Sequence, residues 1–388
     1  MTLKLPIYMD YHATTPVDPR VLEVMLPYFS QVFGNASSID HIFGARAHEA
    51  VEKARGQVAS TLNARPEEII FTSGATESDN IALLGAAERL ASKGDHIITC
   101  VTEHKAILDT AKHLEMMGKS VTYLPVDKYG MVDPADVEEA ITDRTILISI
   151  MAANNEIGTI APLKEIGKVA KEHGVLFHTD AAQAVGHTPI DVKEMGIDLL
   201  SLSGHKAYGP KGIGALYIKG ANPKGKVSPV MFGGGHERGI RSGTYNVPGI
   251  VGLGKALEIA EKEMEAENAR FREWTKLMFE AFQESIEGVI LNGHPEKRLA
   301  HNLNVCFPGI ESKALMHLLR HDIAVSAGSA CTTMSVEPSH VLKAISLSDR
   351  EIYSAVRFGL GRQNNEEEIK HCINKVISSA KRLRKFNT

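Results

Sequence analysis

The chain has 388 residues, of which 43% are hydrophobic and 23% charged, and its formal net charge is −4. This length predicts two domains, and the charge gives no reason to expect binding to nucleic acid or to an anionic membrane. No stretch approaches the roughly 20 apolar residues of a membrane span, and residues 1–10 lack the pattern of a signal peptide. Four cysteines without C-x-x-C spacing indicate a reducing compartment, with neither a disulfide framework nor a structural zinc site. We therefore expect a cytoplasmic protein of the size of an enzyme.

Short apolar, β-branched segments alternate with helical patterns between residues 68 and 219. This alternation predicts an α/β fold in which a mainly parallel seven-stranded sheet carries helices on both faces. The predicted strands are Glu68–Thr72, His96–Val101, Val121–Pro125, Thr145–Met151, Val175–Thr179, Leu199–Ser203 and Gly214–Ile218. The predicted helices between them include Ser78–Ser92, Ala106–Gly118, Pro134–Ile141 and Pro162–Glu172.

The pattern changes after about residue 250 and predicts a smaller α+β domain, with which residues 3–10 would pack. Its predicted strands lie near Leu303–Phe307 and Ile323–Ser326. Its predicted helices are Val251–Ile286, Ser312–Leu319, Asp349–Val356 and Glu366–Phe386. We therefore expect a large domain of residues 16–255 and a small domain formed by residues 1–15 together with residues 256–388.

Polar residues follow five of the predicted strands, at the point where each strand ends. Because the carboxyl ends of parallel strands meet at one edge of a sheet, these segments predict a ligand site at that edge. They are Thr72–Thr76, Thr102–Lys105, Asn154–Glu156, Asp180–Gln183 and Ser203–Lys206.

Lys206 and Asp180 follow two of these strands and suggest the chemistry of the site. A lysine amine can form a Schiff base with the aldehyde of pyridoxal phosphate, and a carboxylate can keep the ring nitrogen of that cofactor protonated. A single lysine after a strand is far more often a solvated side chain. The prediction therefore depends on the residues around it.

The segment Thr72–Ser78 ends a strand and opens a helix, which is typical of a phosphate site. Ser73 and Thr76 add hydroxyl groups, although such residues also cap helices where no ligand binds. Ser203 and His205, which follow another strand, could complete the cup for the phosphate.

Four further side chains could contact the cofactor ring or the substrate. His104 could stack on the ring or act as an acid and base near neutral pH, and Asn155 and Gln183 could donate to the ring oxygen and the substrate. Arg357 could bind a substrate carboxylate, unless it forms a structural ion pair. The loop Arg241–Thr244 has a composition that suits phosphate, and could come from a partner subunit.

Cys331 lies in residues 326–334, which apart from Cys331 and Met334 are all serine, alanine, glycine or threonine and offer little to anchor the chain. A thiol on such a segment can enter a pocket, act as a nucleophile and leave again. Cys100, Cys306 and Cys372 lie in apolar strand or helix patterns, which predict buried cysteines.

Eight segments in this order resemble the cysteine desulfurases, most closely the IscS/NifS type that serves iron–sulfur cluster assembly. They are Asp10–Pro16, Thr72–Asn80, Thr102–Lys105, Asn154–Gly158, Ser203–Lys206, Gly233–Arg238, Arg241–Thr244 and Gly328–Cys331. The resemblance extends from about residue 5 to about residue 380. It implies a homodimeric fold-type-I transferase that depends on pyridoxal 5′-phosphate.

The resemblance also implies a role for each matching residue. Lys206 would form the Schiff base, Cys331 would receive the substrate sulfur, and His104 would stack on the ring and manage the thiol proton. The implied cofactor contacts are Lys206, Ala75, Thr76, His104, Asn155, Asp180, Gln183, Ser203, His205 and, from the partner subunit, Thr244. The implied substrate contacts are Asn155 and Arg357.

The implied reaction converts L-cysteine to L-alanine and leaves a persulfide on Cys331. The sulfur would pass to an iron–sulfur scaffold protein, with which Cys331 could share a transient cluster as a metal ligand, or to another acceptor such as a tRNA-thiolation relay. Two alternatives keep the same fold. One is an aminotransferase or cysteine β-lyase in which Cys331 is incidental, and the other is a non-catalytic scaffold.

Overall fold

A computed structural model of the protein describes residues 3–327 and 338–386. The strands, in chain order, are β1 (Ile7–Tyr8), β2 (Ile69–Thr72), β3 (His96–Cys100), β4 (Ser120–Leu124), β5 (Thr145–Ser149), β6 (Leu176–Asp180), β7 (Leu199–Ser203), β8 (Gly214–Ile218), β9 (Ile290–Leu291), β10 (Asn302–Cys306), β11 (Ile323–Ala324) and β12 (Ala355–Gly359). The helices are α1 (Pro19–Met25), α2 (Pro27–Ser30), α3 (Ile42–Thr61), α4 (Ala75–Arg89), α5 (Lys105–Met116), α6 (Pro134–Ala140), α7 (Leu163–Glu172), α8 (Val247–Ser285), α9 (Ser312–Leu319), α10 (His340–Ala344), α11 (Asp349–Ile352) and α12 (Glu366–Phe386).

The large sheet has seven strands in the order β2-β8-β7-β6-β5-β3-β4. Every pair in it is parallel except those of β8, which runs antiparallel to both of its neighbours. The prediction of a mainly parallel seven-stranded α/β sheet is therefore confirmed, and each predicted strand agrees with the observed one to within two residues.

Helices cover both faces of this sheet because successive strand residues point to opposite sides. Ile70 packs in the apolar core under α4 and α5, whereas Ile69 and Phe71 pack in the core formed with α3, α6, α7 and the first part of α8. All residues of β3, β7 and β8 are buried, as expected of strands covered on both faces. The rigid sheet holds its carboxyl edge, where the predicted site residues lie, in a fixed arrangement.

A separate apolar core lies between a smaller antiparallel sheet, ordered β12-β10-β9, and the helices α9, α12 and the end of α8. The strand β1 pairs with β11, so the first described residues pack with this part of the chain, as the sequence predicts. The 39-residue helix α8 contributes Ile250 and Leu253 to the large core and Phe271 and Phe282 to the smaller one.

The predicted helix Asp349–Val356 is wrong beyond Ile352. A capping box formed by Ser348 and Glu351 starts the short helix α11, but the chain then extends into β12, which pairs with β10 along its whole length. Pairing with a distant strand outweighs the local helical pattern, as often happens for short segments. Arg357, which comes directly after the predicted helix, therefore projects from the middle of the strand β12.

Candidate active site

A cavity of about 470 Å³ lies at the carboxyl edge of the large sheet. It is lined by segments that follow β2, β3, β5, β6 and β7, together with Arg357 and the run His12–Thr14. The predicted site residues that line it are Ala75, Thr76, His104, Asn155, Asp180, Gln183, Ser203, His205, Lys206 and Arg357. Thr244 is exposed and is not among the lining residues, and Cys331 lies outside the described residues.

The amine of Lys206 lies against one wall of the cavity. The residue ends a 3-10 turn, Gly204–Lys206, that follows β7 directly. Its Nζ donates to the carbonyl of His12 at 2.5 Å and to that of Ala13 at 2.8 Å. Two carbonyls thus hold the amine at the cavity wall, within the space that an aldehyde would have to enter.

Asp180, the last residue of β6, is a buried carboxylate on the cavity wall. Burial raises its pKa, while the nearby charge of His104, the backbone N–H of Ala182 and the charge of Lys206 act in the opposite direction. The Ala182 N–H donates to Oδ1 at 2.9 Å. Such a carboxylate is strongly stabilised by a cationic partner, and a protonated ring nitrogen would provide one. The site therefore fits this part of pyridoxal phosphate.

The turn at residues 73–76 forms a cradle at the N-terminus of α4. Gly74 adopts φ +152°, and a Cβ atom added there would meet Ser203 Oγ at 3.7 Å, so a side chain would enter the space between the turn and β7. The first N–H groups of a helix have no intrahelical partner and favour an anion. Gly214 on β8 allows this close approach, because a Cβ atom there would lie 2.7 Å from the Gly74 Cα. These features fit a phosphate group.

His205 lies beside this cradle and is neutral at pH 7. Burial, together with the charge of Lys206, lowers its pKa to about 4. Its Nδ1 lies 3.0 Å from Thr14 Oγ1. In this neutral form the imidazole can offer a phosphate a hydrogen bond.

His104 lines the cavity and is the N-terminal cap of α5. Its Nδ1 accepts a hydrogen bond from the Ala106 N–H at 3.1 Å. In the neutral ring the proton is therefore on Nε2, which leaves an N–H at the other side of the ring. This cap fixes how the imidazole enters the cavity.

Arg357 is almost fully buried and forms the structural ion pair that the sequence analysis gave as the alternative to carboxylate binding. Its Nη2 forms an ion pair with Asp10 at 2.7 Å, and its Nη1 donates to the Asn155 carbonyl at 2.8 Å. Its Nε has no hydrogen-bond partner among the described residues. The guanidinium is thus held by structural contacts and still lines the cavity, where it can bind a carboxylate.

His12 is the main site residue that the sequence analysis missed. It is buried, it lines the cavity, and its Nδ1 lies 2.9 Å from Gln183 Oε1. The run Asp10–Pro16 is part of the family resemblance, but it does not follow a strand of the large sheet and lies about 170 residues from Gln183. The sequence therefore offered no local signal that singles out this histidine among the 17.

The cysteines at 100, 306 and 372 are buried, as the sequence predicts. Burial raises the pKa of all three thiols, so each is a poor nucleophile at neutral pH. Within the described ranges, no group of three or more histidine, cysteine or acidic side chains could hold a metal ion. The same ranges contain no helix both long and apolar enough to cross a membrane.

Comparison with known proteins identifies the family. Residues 7–372 match the family model described as aminotransferase class-V. A relative named "Cysteine desulfurase IscS", from Anaeromyxobacter dehalogenans (strain 2CP-C), is 51% identical over 385 residues, which are 99% of this chain and 95% of the relative. The solved structure titled "NIFS-LIKE PROTEIN" is 38% identical with a TM-score of 0.90, over 96% of this chain and 99% of that one. A structure titled "SspA in complex with cysteine" is 43% identical with a TM-score of 0.81, over 91% and 98%.

Proposed function

Because the chain belongs to the cysteine desulfurases of the IscS/NifS type within the class-V aminotransferase family, whose cofactor is pyridoxal phosphate, we propose a catalytic role for Lys206, His104 and Cys331. The enzyme takes the sulfur from L-cysteine, releases L-alanine and keeps the sulfur as a persulfide on Cys331. The observation that carries the proposal is the single cavity onto which Lys206, Asp180 and the cradle at residues 73–76 converge.

The residues around the cavity can hold each part of the cofactor. Bound pyridoxal phosphate supplies an aldehyde for amines and a ring that accepts electrons from the α-carbon of the substrate. Lys206 would bind the aldehyde carbon and Asp180 the ring nitrogen. The remaining contacts would be His104 over the ring face, Gln183 and Asn155 at the ring oxygen, and Ala75, Thr76, Ser203 and His205 at the phosphate, with Thr244 from the partner subunit.

The substrate is oriented by Arg357 and Asn155, and its protons are moved by Lys206 and His104. The guanidinium of Arg357 can bind the carboxylate of L-cysteine, since it lines the cavity and is held rigidly by Asp10. The amine of Lys206, which here donates to the His12 and Ala13 carbonyls, would move the α-proton. His104, whose ring is oriented by the bond from the Ala106 N–H to its Nδ1, would manage the thiol proton.

Cys331 is the proposed sulfur carrier, and the described residues on either side of its segment support this. Ser326 is tied to Arg357 by two backbone hydrogen bonds, and its hydroxyl accepts a third from the Arg357 Nη2 at 3.3 Å. On the other side, Ser339 donates to Glu156 at 2.5 Å. The chain that leads to Cys331 is thus anchored at Ser326 beside Arg357, which lines the cavity.

Replacing Cys331 with alanine tests the proposal against the alternatives. We expect the variant to keep the visible absorbance of the bound cofactor and to lose alanine production from L-cysteine. Cys100→Ala, which removes a buried thiol from β3, is the matched control and should keep the activity. Mass spectrometry of the unaltered enzyme after reaction should find the added sulfur on the peptide that contains Cys331.

Other outcomes would support the alternatives. Pyruvate formation from L-cysteine that persists in Cys331→Ala would favour a β-lyase, and formation of a keto acid that keeps the sulfur would favour an aminotransferase. A purified chain that develops no visible absorbance with added pyridoxal phosphate would favour a non-catalytic scaffold.

The homodimer is a further part of the proposal. Thr244 is exposed and lies outside the cavity of its own chain, where a second copy could receive it. Four large apolar side chains that lie close together in the sequence are exposed, which is typical of an interface: Phe29, Phe33, Ile39 and Phe43. Light scattering after size exclusion should give twice the mass of 42.2 kDa.

The remaining proposals concern the domains, the compartment and the acceptor. The cores on the faces of the large sheet are separate from the core on the small sheet, which supports a large domain of residues 16–255 and a small one of residues 1–15 and 256–388. Cysteine usage supports a cytoplasmic location. The acceptor would be an iron–sulfur scaffold protein, with Cys331 as a transient cluster ligand, or another sulfur carrier. Isolating proteins bound to the persulfidated enzyme would identify it.

A further inference from the structure

The imidazole of His12 is fully enclosed, and both of its nitrogens have a partner. Nδ1 lies 2.9 Å from the side-chain oxygen of Gln183, and Nε2 lies 3.0 Å from the side-chain nitrogen of Asn302. The His12 carbonyl accepts from the Gln183 Nε2 at 3.0 Å, so the two residues contact each other at two points.

These contacts determine which nitrogen of His12 carries the proton. Asn302 Oδ1 accepts from Arg298 Nη2 at 2.8 Å, and Asn302 Nδ2 also donates to the Glu156 carbonyl at 3.1 Å. The amide nitrogen of Asn302 therefore faces His12 and donates to Nε2. The other nitrogen, Nδ1, must then carry the proton that it donates to Gln183 Oε1. Burial and the nearby charge of Arg357 lower the pKa of His12 well below its usual value, which keeps the ring neutral.

The orientation of the Gln183 amide follows from this proton. Its oxygen is engaged by the His12 N–H, and one of its two N–H groups is engaged by the His12 carbonyl. The second N–H remains for the cavity that Gln183 lines. If the amide turned over, its nitrogen would face the Nδ1–H of His12, which is a repulsive contact between two donors.

A second histidine holds the His12 ring in its plane. The ring of His301 stacks on it at a centroid distance of 4.4 Å and an interplanar angle of 23°. His301 itself packs against His187 at 4.3 Å, and the His187 Nε2 lies 2.8 Å from the Lys206 carbonyl. The His12 imidazole can therefore neither rotate about its Cβ–Cγ bond nor shift away from Gln183 without disturbing this stack.

We propose that His12 is a positioning residue whose Nδ1–H fixes the amide of Gln183, so that the amide presents an N–H to the ring oxygen of pyridoxal phosphate. The inference rests on the proposed contact between Gln183 and that oxygen. A hydrogen bond to the ring oxygen favours its anionic form, so losing the bond should raise the pKa of the bound cofactor, read from its absorbance.

The test compares His12→Leu with His12→Asn in the holoenzyme. Leucine removes the donor, whereas the asparagine side-chain nitrogen is bonded to Cγ, as Nδ1 is in histidine, and can restore it. A pH titration of the visible absorbance should show the cofactor pKa raised by about one unit in His12→Leu and returned towards the original value in His12→Asn. His96→Leu removes another buried histidine, at the start of β3 and outside the cavity, and should leave that pKa unchanged.

An unchanged cofactor pKa in His12→Leu would overturn the proposal. A second measurement does not require cofactor binding by a variant. Nitrogen-15 spectra of histidine-labelled protein, with the His12 signals assigned from their loss in His12→Asn, should show a protonated Nδ1 and an unprotonated Nε2. A protonated Nε2 would contradict the inference even if His12→Leu failed to fold or to bind cofactor.

The variant Gln183→Leu separates a failure of this inference from a failure of the proposed function. If Gln183→Leu raises the cofactor pKa and His12→Leu does not, the contact of Gln183 holds and only the role of His12 is wrong. If neither variant shifts the pKa, the proposed contact of Gln183 is itself wrong, and the inference fails with it. If the unaltered enzyme forms no alanine from L-cysteine, the desulfurase proposal is refuted, but the inference about His12 is not.

Discussion

Replacing His301 with phenylalanine should make the enzyme less sensitive to acid. His301 is 2% exposed, lies between the rings of His12 and His187, and has no hydrogen-bond partner for its Nδ1 in the described part of the chain. Burial is the largest cause that lowers its pKa well below the usual value, and the neighbouring histidines add to it. A phenylalanine ring can fill the same stack without a group that titrates.

The magnitude follows from the protons bound by the folded and unfolded chains. An unfolded histidine takes up a proton as the pH falls through about 6.5, whereas the buried ring of His301 does not. The folded state is therefore favoured less at low pH, and a single such histidine costs about 2 kcal/mol of unfolding free energy between pH 7 and pH 5. The phenylalanine variant lacks this loss. Its stability relative to the unaltered enzyme should rise by about 2 kcal/mol over the same interval.

Urea unfolding of both proteins at pH 7 and pH 5 measures how much the unfolding free energy of each changes with pH, and the two changes are then compared. Protein concentration and cofactor saturation must be equal in all four experiments, because binding and association shift apparent stability. His113→Gln, which changes an exposed histidine, is the control and should show no such difference between the two pH values. Parallel pH dependence of His301→Phe and the unaltered enzyme would refute the reasoning, since it would mean that His301 binds its proton in the folded state.

Three further predictions concern the site and its support. Gly214→Ala places a Cβ atom 2.4 Å from the Leu202 carbonyl oxygen and should weaken pyridoxal phosphate binding at least about tenfold in a cofactor titration, because the cradle beside it must shift. Glu237→Gln breaks the buried ion pair with Arg55 (2.8 Å) and should cost about 3–5 kcal/mol in chemical denaturation. Asp180→Asn removes the charge that would hold the ring nitrogen, and single-turnover alanine formation should slow by about 10- to 100-fold.

The large sheet and most of the site were predictable from sequence because both depend on local patterns. The strands of a covered parallel sheet are continuous apolar runs, and the residues that follow them must meet at one edge. Asp180 ends β6, and Lys206 follows β7, so counting strand ends was enough to bring them to one cavity. The resemblance to a family added the roles of these residues.

The parts that the sequence did not predict depend on contacts between distant segments. The segment Ala355–Gly359 follows a helix start, and only its pairing with β10 makes it a strand. Likewise, the ion pair between Asp10 and Arg357 joins residues at opposite ends of the chain. Neither segment carries a periodic pattern long enough to reveal its partner, so tertiary contact decides the outcome.

The run at residues 10–16 shows how far such contacts shape the site. Asp10 forms an ion pair with Arg357, and the His12 carbonyl accepts from the Lys206 amine. The hydroxyl of Thr14 contacts the His205 side chain, and that of Thr15 donates to the His205 carbonyl. One short loop thus contacts the residues proposed for the substrate carboxylate, for the aldehyde and for the phosphate. These contacts tie together groups that the large sheet and the strand β12 supply, so the run restricts the distances between those groups.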